Sequence, residues 1–323
     1  MFSQRGHTVK NTDPRHAIFH DEDKARAYFE AQRWPDGKPF CPHCGSVNVH
    51  RLEGASHRPG LIQCNDCMQA FTVTVGSVME SSHLPLTKWA LAFHKMAASK
   101  KGISAKQMQR ELNLGSYRTA WFLTMRVREA MSLPKIKPGR IGGSGKIVES
   151  DETFVGGKAK NVHKGKPIPK KHAVHALVER GGHVRATHVA DVSAKTLRKA
   201  IAKHVAKGST MNTDDALAYY HMSKEFAAHG VVNHSAGEYV SKDGQSHIQS
   251  AEAFFAILKR GVIGSFHSVS EQHLQRYCDE FAFRWNTRSA LGVEDAERAR
   301  LMVKGAIGKR LTYRNPDTQT EAN

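Results

Sequence analysis

Apolar positions along the 323-residue chain follow a helical period first and a strand period later. After Leu84-Pro85-Leu86-Thr87, the residues Trp89, Ala90, Ala92, Phe93, Met96 and Ala97 recur at helical spacing until Lys101-Gly102. Ser104 followed by Gln107 forms a capping-box pair, so a second helix is predicted from Ser104, with Met108 and Leu112 turned inward. Asn113-Leu114-Gly115-Ser116 ends it, and a third helix offers Ala120, Trp121, Leu123, Val127 and Met131 to a core. Two short helices about a Gly-containing turn have the form of a helix-turn-helix. The second of them displays Tyr117, Arg118, Thr119, Arg126 and Arg128, side chains suited to a major groove or to phosphates.

Beyond Met131 a basic Pro/Gly-rich stretch, 133–145, reads as a linker. Strand-like runs follow at 146–155, 172–179 and 183–192, with Gly181-Gly182 marking a hairpin between the last two. A helix at 194–207, a short strand 210–213 ending at Asp214-Asp215, a helix around 216–228, a strand at 230–233 and a helix carrying Glu252 complete the order. That order matches the mixed sheet of a ribonuclease-H-like domain, so the predicted class is multidomain α/β.

Cysteine spacing adds a metal module. Cys41-Pro42-His43-Cys44 and Cys64-Asn65-Asp66-Cys67 are two C-x2-C knuckles, and two such turns close a tetrahedral cage of thiolates around Zn²⁺. His43 sits inside a knuckle and could compete as a ligand, but the four thiolates already satisfy the ion. Short strands at 50–52 and 70–75 flank the pair, as in a zinc ribbon. Cys278 lies in the periodic run Leu274, Tyr277, Cys278, Phe281 and reads as a core thiol. The opening residues, MFSQRGHTVKN, lack an apolar core and do not read as a secretory signal, which favours metal over disulfides. No apolar run approaches the ~18 residues needed to span a bilayer.

Three carboxylates form the second constellation. Asp151 lies within the first long strand, Asp214 (with Asp215 beside it) at the end of a later one, and Glu252 near the start of a helix. Brought together, they would hold two Mg²⁺ or Mn²⁺ ions ~3.5–4 Å apart, able to activate a water or a 3′-hydroxyl and to stabilise a phosphodiester's leaving oxygen. Lys259 follows Glu252 by two helical turns, on the same face, where it can position a phosphate. On a strand Glu149 shares the face of Asp151, and Glu152 takes the other. His234, ending a strand, reads as a satisfied polar histidine, and Asp243 as a solvated loop acid.

Charge points the same way. Lys and Arg total 48 against 30 Asp and Glu, a formal net charge of +18, which favours a polyanionic partner. The excess is local: residues 86–140 carry twelve basic and two acidic side chains, while 158–171 and 298–314 each carry six basic and no acidic ones. The stretch 158–171 reads as a solvated hairpin or as an arm that follows phosphates.

Longer motifs carry a family resemblance. These are Arg33-Trp34-Pro35-Asp36-Gly37 before the first knuckle, Ser82-His83-Leu84-Pro85-Leu86-Thr87-Lys88-Trp89, and Lys101-Gly102-Ile103-Ser104-Ala105. They continue with Thr119-Ala120-Trp121-Phe122, Asp151-Glu152-Thr153-Phe154-Val155-Gly156-Gly157-Lys158 and Asn233-His234-Ser235. The last are Ser250-Ala251-Glu252 through Leu258-Lys259-Arg260-Gly261, and Asp279-Glu280-Phe281-Ala282-Phe283-Arg284-Trp285-Asn286. With them the chain resembles bacterial insertion-sequence DDE transposases that bear a zinc ribbon and an ISXO-two-like transposase domain. The resemblance implies a ribonuclease-H-like catalytic domain with Asp151, Asp214 and Glu252 as metal-binding catalytic residues. The family's Thr-Asp order favours Asp214 over Asp215. Family members often carry Asn where this chain has Gln249, and some use Asn as the third catalytic residue.

The expected organisation is an N-terminal helix and zinc ribbon (1–85), a helix-turn-helix and linker (86–140), the catalytic domain (141–297) and a basic C-terminal tail (298–323). The expected partner is double-stranded DNA, both element ends and target, bound through Arg118, Arg126, Arg128, Lys259 and Arg260, with a homodimer or larger assembly at work in the bacterial cytoplasm and no membrane. A zinc-ribbon regulator without catalysis and a nuclease that cuts without joining are the alternatives.

Overall fold

The computed structural model describes residues 13–132, 139–157, 165, 170–220, 222–233, 237–238, 240–241 and 244–312. The expectations placed on the linker interior, on most of 158–171, on His234 and Asp243, and on the chain beyond 312 lie outside the described residues. The chain divides into two compact units. The first takes the described residues up to Ser99, Ile103–Met131 and those from Val293 on; the second takes Lys100–Gly102 and Ser132–Gly292.

In the first unit α1 (Glu22–Arg33) starts where the Asp21 carboxylate accepts from the backbone N–H groups of Asp23 and Lys24. It is followed by a three-stranded antiparallel sheet, β1 (Val49–Arg51), β2 (Ile62–Cys64) and β3 (Ala70–Phe71), in that order. Next come α2 (Leu86–Ala98), α3 (Ala105–Glu111) and α4 (Tyr117–Met131). The Ser104 hydroxyl accepts from Gln107 N at 3.1 Å and opens α3. One expectation fails on α4. Arg126 and Arg128 are only 7% and 1% exposed, so neither is displayed. Two residues apart, they point ~200° away from each other on a helix and cannot share a face. The Arg126 guanidinium instead donates to Glu80 O at 2.9 Å and lies 4.5 Å from the Phe122 ring centre, and burial lowers its pKa.

The second unit is built on a mixed sheet. Its strands are β4 (Ile147–Val155), β5 (His172–Glu179), β6 (Val184–Val189), β7 (Thr210–Asp214) and β8 (Ala228–Val232), in the spatial order β6-β5-β4-β7-β8. The meander β4-β5-β6 is antiparallel, and β7 and β8 add in parallel on the other side of β4. One face packs on α5 (Ala194–His204) through Val148, Leu177, Leu197, Ile201 and Met211. The other packs on α6 (Gln249–Gly261) and α7 (Glu271–Asn286) through Val174, Val178, Phe254, Leu258, Leu274 and Phe281. Cys278 is fully buried there, and desolvation pushes its thiol up.

The helix expected around 216–228 does not form. Two 3-10 turns, Leu217–Tyr219 and Met222–Lys224, occupy the segment, and β8 has begun by Ala228. The Asp214 carboxylate accepts from Ala216 N at 3.1 Å and turns the chain at once. Gly261, the last residue of α6, lies beneath the Phe281 ring, where a Cβ would overlap the aromatic carbons. Gly261→Ala should therefore lower the stability of the second unit by ~1–3 kcal/mol, read as a reduced urea midpoint.

The segment expected as a tail starts inside a helix, α8 (Asp295–Ala306), which belongs to the first unit. Its basic residues mask an apolar stripe: Ala299, Met302, Val303 and Ala306 are buried, and Arg298 donates to Ala97 O at 3.1 Å. No described helix is long and apolar enough to cross a membrane.

Candidate active site and zinc centre

The two cysteine knuckles converge. Cys41 Sγ lies 3.6 Å from Cys67 Sγ, Cys44 Sγ lies 3.6 Å from Cys64 Sγ, and all four sulfurs fall within 4.8 Å of one another. Sulfurs bound at ~2.3 Å to one tetrahedral zinc stand ~3.8 Å apart, so the four thiols fit a structural Zn²⁺. Antiparallel pairing of β1 with β2 sets Val49 against Cys64, which carries the second knuckle back to the first. His43 stays outside the cage; its backbone N–H donates to Cys41 Sγ at 3.4 Å.

Strand register assembles the acids. Glu149 on β4 stands opposite Asn212 on β7. Two residues further along these parallel strands come Asp151 and Asp214, level with each other and on the same sheet face as that pair. The face is identified by Glu149, a fully buried carboxylate that accepts from Ser250 N at 2.7 Å and Ala251 N at 3.1 Å. Glu149 thus caps α6 from the neighbouring strand, and Glu252 follows within the first turn of that helix. Arg180 binds Glu149 at 3.0 Å and the carbonyls of Gln245 and His247, fixing the chain that leads into α6.

Asp151 and Asp214 are partly buried, and Glu252 and Asp215 are exposed. Asp151 and Asp214 follow the Glu149–Asn212 pair by two residues on adjoining strands, and Glu252 follows by two the Ser250 N–H that Glu149 binds; among the described residues their oxygens do not fall within the 4.8 Å span of the cysteine cluster. Carboxylate oxygens are hard donors of the kind that Mg²⁺ and Mn²⁺ take.

A polar chain behind the strand had no counterpart in the sequence pattern. Ser150 Oγ lies 2.8 Å from His175 Nε2 and donates to Tyr219 Oη at 3.1 Å, and Tyr219 in turn donates to Glu152. Glu152 takes the opposite face from Asp151, as period-2 alternation requires, yet it shares that residue's field. Burial pushes it up to about 7, the Tyr219 hydroxyl draws it down, and the charges of Asp151 and Asp214 push it up. Desolvation holds the buried His175 down at about 3, so it is neutral. Glu149 was legible only as a neighbour of Asp151. Its partners lie ~30 and ~100 residues away, and spacing cannot reveal such pairing.

Glu149→Ala would leave the Arg180 charge without its carboxylate and the first N–H groups of α6 unsatisfied. Loss of one partner from a buried pair costs ~3–5 kcal/mol, so the thermal midpoint of the second unit should drop clearly.

Of the residues expected to meet DNA, Lys259 and Arg260 are exposed on α6. Arg118 lies in the first turn of α4, beside a cleft that Lys88, Asn113 and Ser116 also line.

Residues 142–286 match the model for the ISXO2-like transposase domain, and residues 20–70 match that for the transposase zinc-ribbon domain; together they span more than half of the chain. An uncharacterized protein in transposable element ISH50 of Halobacterium salinarum is 27% identical over 284 residues, covering 82% of this chain and 91% of that protein.

Proposed function

The chain belongs to the ISXO2-like transposases with a zinc ribbon, and from that premise we propose that it cuts DNA at the ends of an insertion element and joins the freed 3′-hydroxyl to target DNA. The observation that carries this reading is the register of β4 and β7, which sets Asp151 level with Asp214 while Glu149, on the same strand face, caps the helix bearing Glu252. The strand order, a three-stranded meander with two parallel strands beyond its first member, is the one expected of a ribonuclease-H-like domain and supports the same assignment.

Asp151, Asp214 and Glu252 would hold two Mg²⁺ or Mn²⁺ ions, which supply activation of the attacking oxygen and charge stabilisation at the leaving oxygen. The protein's own contribution is placement. Strand register fixes the two aspartates, the Glu149 cap fixes the first turn of α6, and Lys259 and Arg260 further along that helix offer charge to the phosphates flanking the scissile bond. Cleavage by water leaves a 3′-hydroxyl, which attacks a target phosphodiester and expels its 3′-oxygen, with no covalent protein–DNA intermediate. The zinc ribbon and the α3–α4 helix-turn-helix recognise the ends, with Tyr117, Arg118 and Thr119 at the start of α4 as the DNA-facing group. Joining two ends requires at least a dimer, working beside the chromosome in the bacterial cytoplasm.

The test is incubation of the full chain with DNA carrying the element ends in Mg²⁺ or Mn²⁺. Nicked ends and joined products are expected. Cleavage without joining would make it a nuclease, and binding without cleavage a regulator; either result overturns the proposal.

A further inference from the structure

We propose a second transition-metal site in the second unit, formed by His172, His188 and Glu271 and suited to Zn²⁺. One ligand atom from each residue lies within 4.8 Å of the others, the one such group among the described residues besides the four cysteines. His172 opens β5, His188 lies next to the end of β6, and Glu271 opens α7. The strands pair so that His188 stands opposite Val174. Val174 shares its face with His172, so both imidazoles lie on the side of the sheet that α7 covers.

The ring nitrogens are ready to ligate. His172 Nδ1 and His188 Nε2 are buried and have no hydrogen-bond partner. The rings meet edge to face with centres 5.9 Å apart, and His172 Nδ1 lies 3.5 Å from Glu271 Oε1. Two ligands bound at ~2.1 Å to a tetrahedral ion stand ~3.4 Å apart, so that pair already has the required separation. The other ligand-atom separations are no more than 4.8 Å.

The supporting shell is built. Gln275, one turn beyond Glu271 on α7, accepts from His188 N at 2.8 Å and donates to Ala186 O at 3.1 Å, tying the helix to β6 beside the histidine. Such second contacts hold first ligands in place.

Two imidazole nitrogens and one carboxylate oxygen are a borderline donor set, which selects Zn²⁺ over Mg²⁺ and leaves a fourth position for water. Lys170 Nζ lies 3.4 Å from the Glu271 carboxylate, but its side chain is 74% exposed and free to swing away. With the ion bound, the point where the chain re-enters the sheet at β5 becomes pinned to β6 and to the start of α7. The site neither uses nor requires Asp151, Asp214 or Glu252.

The experiment is metal analysis of the full chain after exhaustive dialysis against a weak chelator. Two equivalents of zinc per chain are expected in the wild type, and one in both His188→Gln and Glu271→Gln. Glu271 is the half-exposed first residue of α7 and makes no capping bond, so its variant keeps the fold readable if His188→Gln fails to fold. In Co²⁺-loaded protein both variants should retain the thiolate-to-metal absorption of the cysteine site and lose the second visible signal. A single zinc equivalent in the wild type, or two that survive both substitutions, would overturn the proposal.

Discussion

Asp151→Asn should abolish end cleavage and joining together, by at least ~10³-fold, while end binding and thermal unfolding stay at wild-type values. Asn is nearly isosteric, and its side-chain oxygen can keep the 2.8 Å bond that Asp151 Oδ1 accepts from Glu152 N. What it lacks is the negative charge on which metal binding depends. Asp214→Asn should behave alike, because Asp214 is level with Asp151 on the adjoining strand. Asp215 is exposed and lies just past the end of β7. Asp215→Asn should keep activity within a few-fold, which separates two neighbours that spacing leaves equivalent. Joined products from Asp151→Asn in Mg²⁺ would remove the assignment of the active site, and equal losses in Asp214→Asn and Asp215→Asn would remove the choice between them.

Removing zinc from the cysteine centre, by a strong chelator or by Cys64→Ser, should unfold the ribbon and weaken end binding by ~100-fold or more. The strands there are three, three and two residues long, too short to hold a sheet by pairing alone. The apolar support is small: Ile62 and Phe71 are buried, with Trp34 edge-on to Phe71 at 6.3 Å. In such a module metal binding supplies the folding free energy, ~10–16 kcal/mol apparent in isolated zinc fingers. The unfolding transition of the second unit should be unchanged. Circular dichroism with an end-binding titration on the full chain checks this; wild-type affinity after chelation would assign recognition to α3 and α4 without the ribbon.

The sequence made local features legible and left most long-range ones hidden. The Ser104 cap, both knuckles and the hairpin at Gly181-Gly182 are contained in a few adjacent residues, and each stands where spacing placed it. Strand β2 escaped notice because Ile62-Gln63-Cys64 is too short to show alternation. The stretch 216–228 carries Leu217, Tyr219, Met222 and Phe226 at helix-compatible spacing, but Tyr219 must reach Ser150 and Glu152 on β4, and the backbone follows that phenol into 3-10 turns. Arg126 and Arg128 looked solvated for a similar reason. The partners that bury α4 include α8, which lies more than 160 residues downstream. In the candidate active site, the acids themselves were readable. Glu149's role as the cap of α6 was not, because nothing in β4 announces a helix a hundred residues away.

The return of α8 to the first unit has a consequence for biosynthesis. The chain leaves that unit after Met131 and re-enters it at Val293, so the second unit is an insertion within the first. A ribosome emits α2 and α4 long before α8, whose Met302, Val303 and Ala306 are fully or almost fully buried; three residues past its end, Lys309 binds the Glu129 and Ala130 carbonyls. The unit that carries the ribbon and helices α2 to α4 therefore cannot close until the inserted unit has been synthesised and has had time to fold. A nascent chain stalled inside the insertion holds the apolar faces of α2 and α4 uncovered, as a substrate for chaperones, and acquires its complete first unit only once α8 has emerged.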